Sequence, residues 1–116
     1  MIYLDESREQ EAIEAGWIAY RERVPGYESE YRSACGNYRV VAICSDSQVI
    51  GALFVRADGV IHMGIVPEWR SRWASRRIIR QMLAYGNKTT LMDDEDPSFI
   101  SRIGFVKNGN IYEHDW

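Results

Sequence analysis

The side chains best suited to acid–base chemistry are those of His62, Glu68 and Asp93. An imidazole titrates near neutral pH, so His62 can act as a general base toward a substrate within reach. The carboxylates of Glu68 and Asp93 can do the same where their pKa suits the task. Each residue also has a structural interpretation: a half-buried core histidine at 62, a capping or solvated carboxylate at 68, and a helix cap at 93.

Arginines form the second group of candidate residues. Five of them fall between positions 70 and 80, namely Arg70, Arg72, Arg76, Arg77 and Arg80. On a helix, several of these make one stripe, which can contact phosphate or can be an ordinary solvated face. The first predicted helix is acidic by contrast, and the net charge of −3 argues against a nucleic-acid partner.

The candidate acid–base residues and the arginines must be positioned by a strand and a helix. The apolar run 60–66 predicts a strand, which Pro67 ends because proline donates no ladder hydrogen bond. Residues 70–86 predict a helix, with Gly86 where a left-handed cap often ends one. The apolar face of this helix is formed by Ala74, Ile78, Met82 and Tyr85. The strand face that carries His62 also carries Val60, Gly64 and Val66.

The remaining segments predict the sheet on which this unit lies. Strands are expected at 1–4, 38–44, 49–56, 88–92, 104–106 and 111–114, and helices at 5–23 and 97–103. Asp5 or Ser7 is expected to cap the first helix, the acidic turn 93–96 is expected to cap the last, and 27–37 is ambiguous. The order predicts one α/β domain over residues 1–116, with a mixed, mostly antiparallel sheet.

Composition narrows the function classes. The chain has 116 residues, of which 46% are hydrophobic, as in an ordinary globular domain. Its two cysteines, Cys35 and Cys44, form no CxxC pair, so we expect no metal site and free thiols. No apolar run approaches the roughly 20 residues that span a bilayer, and no secretion signal is present, so we expect a cytoplasmic protein without a membrane partner.

Two segments resemble a known family. Residues 65–72, Ile-Val-Pro-Glu-Trp-Arg-Ser-Arg, are similar to the fourth-strand exit and pyrophosphate loop of the GCN5-related N-acetyltransferases (GNATs). Residues 99–105, Phe-Ile-Ser-Arg-Ile-Gly-Phe, are similar to that family's last helix and Gly-Phe strand. The resemblance implies an acyl-CoA N-acyltransferase-like fold, with helices on both faces of the central sheet. The short length also resembles compact acetyltransferase-like proteins of phages.

The resemblance implies a site for acetyl-CoA, with an amine as the acceptor. Its backbone would orient the acyl arm at Ile65 and Val66, and its phosphate loop would comprise Arg70, Ser71, Arg72, Trp73, Ala74 and Ser75. Amides at a helix N-terminus attract phosphate, and glycines in the family's loop allow close approach. Here Trp73 and Ser75 replace those glycines, and the Trp73 indole is expected on the arginine side. Either it folds away and leaves the amides accessible, or it fills the cleft and abolishes the site.

The family's catalytic parts are only partly matched. A base is expected at His62 or Glu68, whereas the place of the family's acidic tyrosine is taken by Ile100, so that Tyr112 or water would have to replace it. Tyr27 and Tyr31 fall where the acceptor loop would lie and can shape a substrate pocket or a protein interface. Two main hypotheses follow: an N-acetyltransferase with a weakened coenzyme site, or an inactive module that binds a protein partner, a second copy, or a phage or host component.

Overall fold

A computed structural model of the chain describes residues 1–91 and 95–115. Its elements follow the predicted order, and their bounds are β1 (Ile2–Asp5), α1 (Glu9–Tyr20), α2 (Glu28–Cys35), β2 (Arg39–Ser45), β3 (Gln48–Val55), β4 (Ile61–Ile65), a 3₁₀ turn (Pro67–Trp69), α3 (Arg76–Leu83), β5 (Lys88–Thr89), α4 (Ser98–Arg102), β6 (Val106–Asn108) and β7 (Ile111–Glu113). The ambiguous segment is therefore a helix, α2. The first strand lies at the sheet edge, as expected.

The strands form two antiparallel groups joined by one parallel contact. The larger has the order β1-β2-β3-β4, and the smaller has the order β5-β7-β6. A single parallel bridge between Val60 and Lys88 connects them. The predicted meander and the mixed, mostly antiparallel sheet are confirmed.

The central strands contribute alternate residues to two hydrophobic cores, because successive side chains of a strand point to opposite faces of the sheet. On one face, Val40, Ala42 and Phe54 pack with Ala12 of α1 and Cys35 of α2. On the opposite face, the sheet packs against α3 and α4. The sheet contributes Val41, Ile43, Leu53 and Ile61, and the helices contribute Ile78, Met82 and Ile100. Helices therefore lie on both faces, as the resemblance implied. Cys35 and Cys44 are buried free thiols.

Helix α3 is shorter than predicted, and its start decides where the loop residues lie. It begins at Arg76 rather than at residue 70, because Ser75 has an extended backbone and its hydroxyl caps the helix by accepting from the Ile78 amide at 3.3 Å. Trp73 therefore lies outside the helix. Its side chain is 4% exposed, in the core, and the expectation that it lies on the arginine side is wrong.

The end of α3 also differs from the prediction. The helix stops at Leu83, the backbone of the capping Ala84 is right-handed, and Gly86 does not have a positive φ. A Cβ at Gly86 would lie 2.8 Å from Cγ2 of Ile61. Glycine is therefore required for the close passage of the α3–β5 connection over β4, and not for a left-handed cap.

The start of α1 is not capped as predicted. The Asp5 carboxylate instead accepts from the Ser7 amide at 2.9 Å and the Ser7 hydroxyl at 2.6 Å, which turns the chain before the helix. Arg8 occupies the cap position without a side-chain cap, and α1 ends at Tyr20 instead of residue 23.

Some predictions fall on residues 92–94 and 116, which lie outside the described residues. They concern the end of the predicted strand 88–92, Asp93 as a base or cap, and the C-terminal tryptophan. Asp96, within the same acidic turn, accepts from the Ser98 amide at 2.9 Å at the start of α4. Over residues 1–91 and 95–115, no helix combines the length and apolar character needed to cross a bilayer.

Candidate functional site

The most distinctive feature of the sheet is the divergence of β4 from β5. Beyond the bridge between Val60 and Lys88, each strand is paired on one side only among the described residues, β4 with β3 and β5 with β7. Between them lies a cavity of about 360 Å³. We call it the β4–β5 notch, and its strand walls are formed by Met63, Gly64, Ile65, Thr89, Thr90 and Leu91.

Backbone groups of β4 are directed into this notch. The Val66 amide donates to the Ile50 carbonyl at 2.9 Å, so the alternation of an antiparallel pair turns the amides and carbonyls of Met63 and Ile65 away from β3. The Met63 carbonyl accepts from the Tyr20 hydroxyl at 3.0 Å. The Ile65 carbonyl accepts from Arg70 Nε at 3.1 Å. The two amides are thus the donors that β4 presents to a ligand.

Arg70 joins the exit of β4 to α1. Besides Ile65, its guanidinium donates to the Ala19 carbonyl at 2.8 Å, and Nη1 lies 3.9 Å from the Glu22 carboxylate. The carbonyls of a helix's last turn lack helical partners and carry its negative dipole end, which favours a cation there. The structure therefore places Arg70 at the rim of the notch, with its donors directed to the protein's own backbone.

A glycine allows α1 to approach this edge. A Cβ at Gly64 would lie 2.9 Å from the Tyr20 ring and 3.2 Å from Cβ of Ala19. The absence of a side chain there brings the C-terminal turn of α1 against β4. That contact allows Tyr20 and Arg70 to reach the carbonyls of the strand.

A second cavity, of about 480 Å³, lies at the start of α3. Ala74 and Ser75 line it together with Arg76 and, from α4, Arg102, and Asp115 contributes one carboxylate to the lining. First-turn amides and guanidinium groups both favour an anion such as a diphosphate. Arg77 points elsewhere, because its guanidinium donates to the Ile2 carbonyl of β1 at 2.8 Å.

Trp73 contacts the lining of one cavity in space and precedes the lining of the other in sequence. Its ring packs on Phe99 of α4 with centroids 5.9 Å apart, and Phe99 lines the notch. The next residues, Ala74 and Ser75, line the second cavity. The other predicted loop residues, Ser71 and Arg72, are exposed, and Arg72 stacks on the Trp69 ring at 4.2 Å. Val66 is buried in the core, and its amide is already bonded to β3.

His62 is the predicted base that lies in a cavity wall. It faces the α1 and α2 side of the sheet, where its ring makes a T-shaped contact with Tyr38 at 5.9 Å. Burial, reinforced by the charge of Arg56 and opposed by Asp58, lowers the pKa of His62, which favours the neutral ring at pH 7. Val66 does not share this face as predicted, because β4 ends at Ile65 and Val66 packs with the other core.

Glu68, the other predicted base, lies on the 3₁₀ turn and is exposed. It is not among the residues that line the notch, the second cavity or the third cavity described next. The structure therefore separates the two predicted bases, with His62 in a wall and Glu68 on the surface.

A third cavity, of about 440 Å³, lies beside the notch under α1 and α2. We call it the aromatic pocket, because its walls are mainly the rings of Tyr20, Tyr27, Tyr31, Tyr38 and Phe54. His62 and Tyr20 line both this pocket and the notch. The two cavities therefore share a wall at the titratable residue of β4.

Known structures share this architecture. No protein-family model matches the sequence, and no curated protein matches it. The PaiA N-acetyltransferase of Thermoplasma acidophilum, solved in complex with coenzyme A, aligns over 100% of this chain and 99% of its own, with a TM-score of 0.66 and 14% identity. The YjaB protein of Escherichia coli, in its apo form, aligns over 94% and 85%, with a TM-score of 0.63 and 14% identity. The PH1933 protein of Pyrococcus horikoshii aligns over 100% of both chains, with a TM-score of 0.59 and 11% identity.

The chain has an acyl-CoA N-acyltransferase-like fold. The GNAT-like resemblance of the two short motifs is thus supported by the architecture of the whole chain. At these identities the likeness concerns the fold, and the roles of individual residues remain predictions.

Sequence reasoning missed part of the pocket. Phe54 was not singled out, although strand alternation and the register of β3 on β4 place it opposite His62. Tyr38 is predicted only as the first residue of the strand 38–44. The pairing of neighbouring strands could have placed both residues in the pocket, because it brings side chains on the same face of the sheet together.

Proposed function

We propose that this protein is an N-acyltransferase that uses acetyl-CoA and holds the acyl arm in the β4–β5 notch. The observation that carries the proposal is the divergence of the two strands, which leaves the amides of Met63 and Ile65 directed into a cavity. Such amides can bond the carbonyls of an extended acyl arm in the way that a neighbouring strand would. A protein with a similar fold that was solved in complex with coenzyme A supports the choice of this coenzyme.

The phosphates of the coenzyme would lie in the second cavity. Arg76 and Arg102 provide two positive charges there against the one negative charge of Asp115, and Ser75 marks the start of α3. The loop 70–75 would then contact the coenzyme mainly through its last residues. Ile65 would act through its amide, while Trp73 would act only indirectly, by packing on Phe99 of the notch lining.

In the proposed reaction the amine nitrogen attacks the thioester carbonyl and the carbon–sulfur bond breaks. His62 takes the proton released by the nitrogen, for which a neutral ring is required. The departing thiolate takes a proton from water, since Tyr112, the other predicted donor, lines none of the three cavities. Glu68 is the second candidate base, and its exposed position makes it the weaker one.

Calorimetric titration with millimolar acetyl-CoA tests the coenzyme site. We expect heat of binding that Arg102→Ala reduces by about tenfold in affinity, because a guanidinium bond to phosphate is lost. Arg21→Ala is the matched control, since Arg21 is exposed and lines none of the three cavities. No heat with the unaltered protein would eliminate the enzyme function.

One observation favours a second function, that of an inactive binding module. The notch carbonyls of Met63 and Ile65 already accept from Tyr20 and Arg70, and Trp73 stands where the family's loop has glycine. A protein partner, a second copy, or a phage or host component would then be the ligand. This function predicts no heat with acetyl-CoA. If the ligand is a second copy, light scattering should also give a mass above that of one chain.

A cytoplasmic location, where acyl-CoA is made, forms part of the enzyme proposal. Cell fractionation of a tagged chain tests it, with recovery in a membrane or secreted fraction as the contrary result. We expect no nucleic-acid partner, since the net charge is −3 and Arg77 is bonded to the β1 backbone. A gel shift that persists at physiological salt would contradict that expectation.

A further inference from the structure

The aromatic pocket has the size and lining of a site for a small molecule. Its volume of about 440 Å³ falls within the range of small-ligand sites, and its walls are aromatic rings contributed by α1, α2, β3 and the segment before β2. Tyr27, at its mouth, is 58% exposed, although a ring of this size is usually covered. A cavity of this kind binds a ligand with a predominantly apolar body.

The ring positions are fixed before any ligand arrives. The Tyr31 hydroxyl donates to the Ile13 carbonyl at 2.8 Å, and the Tyr20 hydroxyl donates to the Met63 carbonyl at 3.0 Å. The Phe54 ring lies 6.0 Å from Tyr20 and 6.2 Å from Tyr31. Because the two hydroxyls are engaged with the backbone, these side chains present ring surfaces and not hydroxyl donors to the pocket. Little ordering cost is then left for binding.

The charged groups at the mouth favour a single positive charge. Glu30 is an exposed carboxylate in the lining, and Arg23 lies 3.3 Å from the Glu95 carboxylate. Ring faces attract an ammonium group as well, through their quadrupoles. One ammonium attached to an apolar body therefore matches the pocket better than a polyamine, which carries several charges.

The pocket borders the proposed reaction centre. His62 and Tyr20 line both the pocket and the notch, so a ligand seated among the rings lies beside the proposed place of the thioester. Arg56 and Asp58 are the charged groups that act on His62, and the Tyr38 ring packs against it. The base and the apolar binding surface thus belong to the same wall.

We propose that the aromatic pocket is the acceptor site and that the acceptor is a small primary amine with an aromatic or branched apolar body, such as an arylalkylamine. The assignment rests on the proposed function. In the reaction the ammonium keeps its body among the rings and first gives one proton to neutral His62, which frees the lone pair of the nitrogen. The nitrogen then attacks the thioester carbonyl, the carbon–sulfur bond breaks, and the second proton lost by the nitrogen passes through water to the departing thiolate. Coenzyme A thiol and an N-acetylated arylalkylamine are the products.

Two measurements on the full chain test this inference separately from the proposed function. The first is calorimetric binding of 2-phenylethylamine without coenzyme, with spermidine as the comparison. We expect 2-phenylethylamine to bind at least about tenfold more tightly. Tyr38→Leu should weaken its binding by about fivefold or more, because the leucine lacks an aromatic face.

Tyr3→Leu on β1 is the matched control and should leave that binding unchanged, since Tyr3 lies outside all three cavities. A Tyr38→Leu protein that has lost its circular dichroism spectrum is replaced by Tyr27→Ala, whose ring is largely exposed. Equal losses in the control and in the pocket variant would overturn the assignment.

The second measurement is acetyl transfer from acetyl-CoA to the same two amines, followed by release of thiol. Transfer to 2-phenylethylamine in preference to spermidine supports the assignment. Coenzyme binding with transfer only to spermidine, or without binding of 2-phenylethylamine, would overturn it and leave the proposed function standing. Binding of 2-phenylethylamine without any heat from acetyl-CoA would overturn the proposed function, and the acceptor role with it.

Discussion

The two sides of β4 differ in how far their cavities are already filled by the protein itself. Toward α1 and α2, the rings around His62 surround an open pocket, and the hydroxyls of Tyr20 and Tyr31 are held by the backbone. Toward α3 and α4, Trp73 is packed into the core on Phe99. At the rim, Arg70 bonds the Ile65 carbonyl.

This difference indicates that coenzyme binding on the loop side is the least favourable part of the proposed reaction. A pocket with fixed walls binds a ligand at little ordering cost, whereas a ligand on the loop side must accommodate the existing contacts of the protein. Of the two readings of Trp73, the structure favours the one in which the indole folds away, here into the core. The residues at the start of α3 then border a cavity.

The largest expected effect is on stability, from removing the loop-side aromatic contact. Trp73→Ala should lower the free energy of unfolding by about 3–5 kcal/mol, because a fully buried ring leaves a cavity. Urea denaturation followed by circular dichroism measures it. Trp69→Ala is the matched control and should cost clearly less, since that ring is only partly buried. Equal losses would show that Trp73 is not held in the core.

On the other side of β4, His62→Gln should lower acetyl transfer by about 10²–10⁴-fold, because the proton acceptor is lost. Acetyl-CoA affinity should change by less than about threefold, since the proposed phosphate contacts lie in the second cavity, which His62 does not line. Kinetics and calorimetry on the same preparation separate the two effects. Glu68→Gln should change the rate by less than about twofold, and the reverse ranking would make Glu68 the base.

A smaller loss of stability is expected from a change at Arg70, which lies at the rim of the β4–β5 notch. Arg70→Lys should lower the free energy of unfolding by about 1–2 kcal/mol, because lysine cannot reproduce the forked bonds to Ala19 and Ile65. Thermal unfolding measures this loss. Arg21→Lys should leave stability unchanged. If Arg70→Lys also leaves it unchanged, the guanidinium does not hold α1 against β4.

The smallest expected effect is a dependence of stability on pH. The folded pKa of His62 lies below its unfolded value of about 6.5, so the unfolded chain binds more protons between the two values. Stability is then full above about pH 6.5 and falls as the pH decreases toward the folded pKa. Denaturant midpoints from pH 7.5 to 5 should show this slope, and His62→Gln should reduce it. An unchanged slope in the variant would assign the dependence to other groups.

The order of elements could be predicted because local patterns encode it. Alternating apolar residues marked β2, β3 and β4, and short turns between them required antiparallel pairing. The start of α3 was misplaced by six residues because the apolar spacing continued upstream of its true cap. Ser75 is a good capping residue, but only the observed bond to the Ile78 amide identifies it as the cap.

Less of the candidate site than of the element order could be predicted from the sequence. His62 was singled out correctly as a titratable residue on the fourth strand, since its neighbours are apolar and its type is rare in this chain. The orientation of Trp73 was wrong because it was judged on an ideal helix that does not extend to that position. The neighbours of His62 in space come from α1, α2 and β3, which no local pattern relates to one another.

The amino-acid sequence alone determined the succession of strands and helices, the antiparallel meander and the position of an ionisable side chain on β4. These features depend on contacts between near neighbours in the chain, where periodicity and turn residues express them directly. Tertiary structure decided the divergence of β4 from β5, the burial of Trp73 on Phe99 and the closure of the aromatic pocket. Each of these brings together segments that are far apart in the chain, and their packing depends on shape and volume rather than on local periodicity.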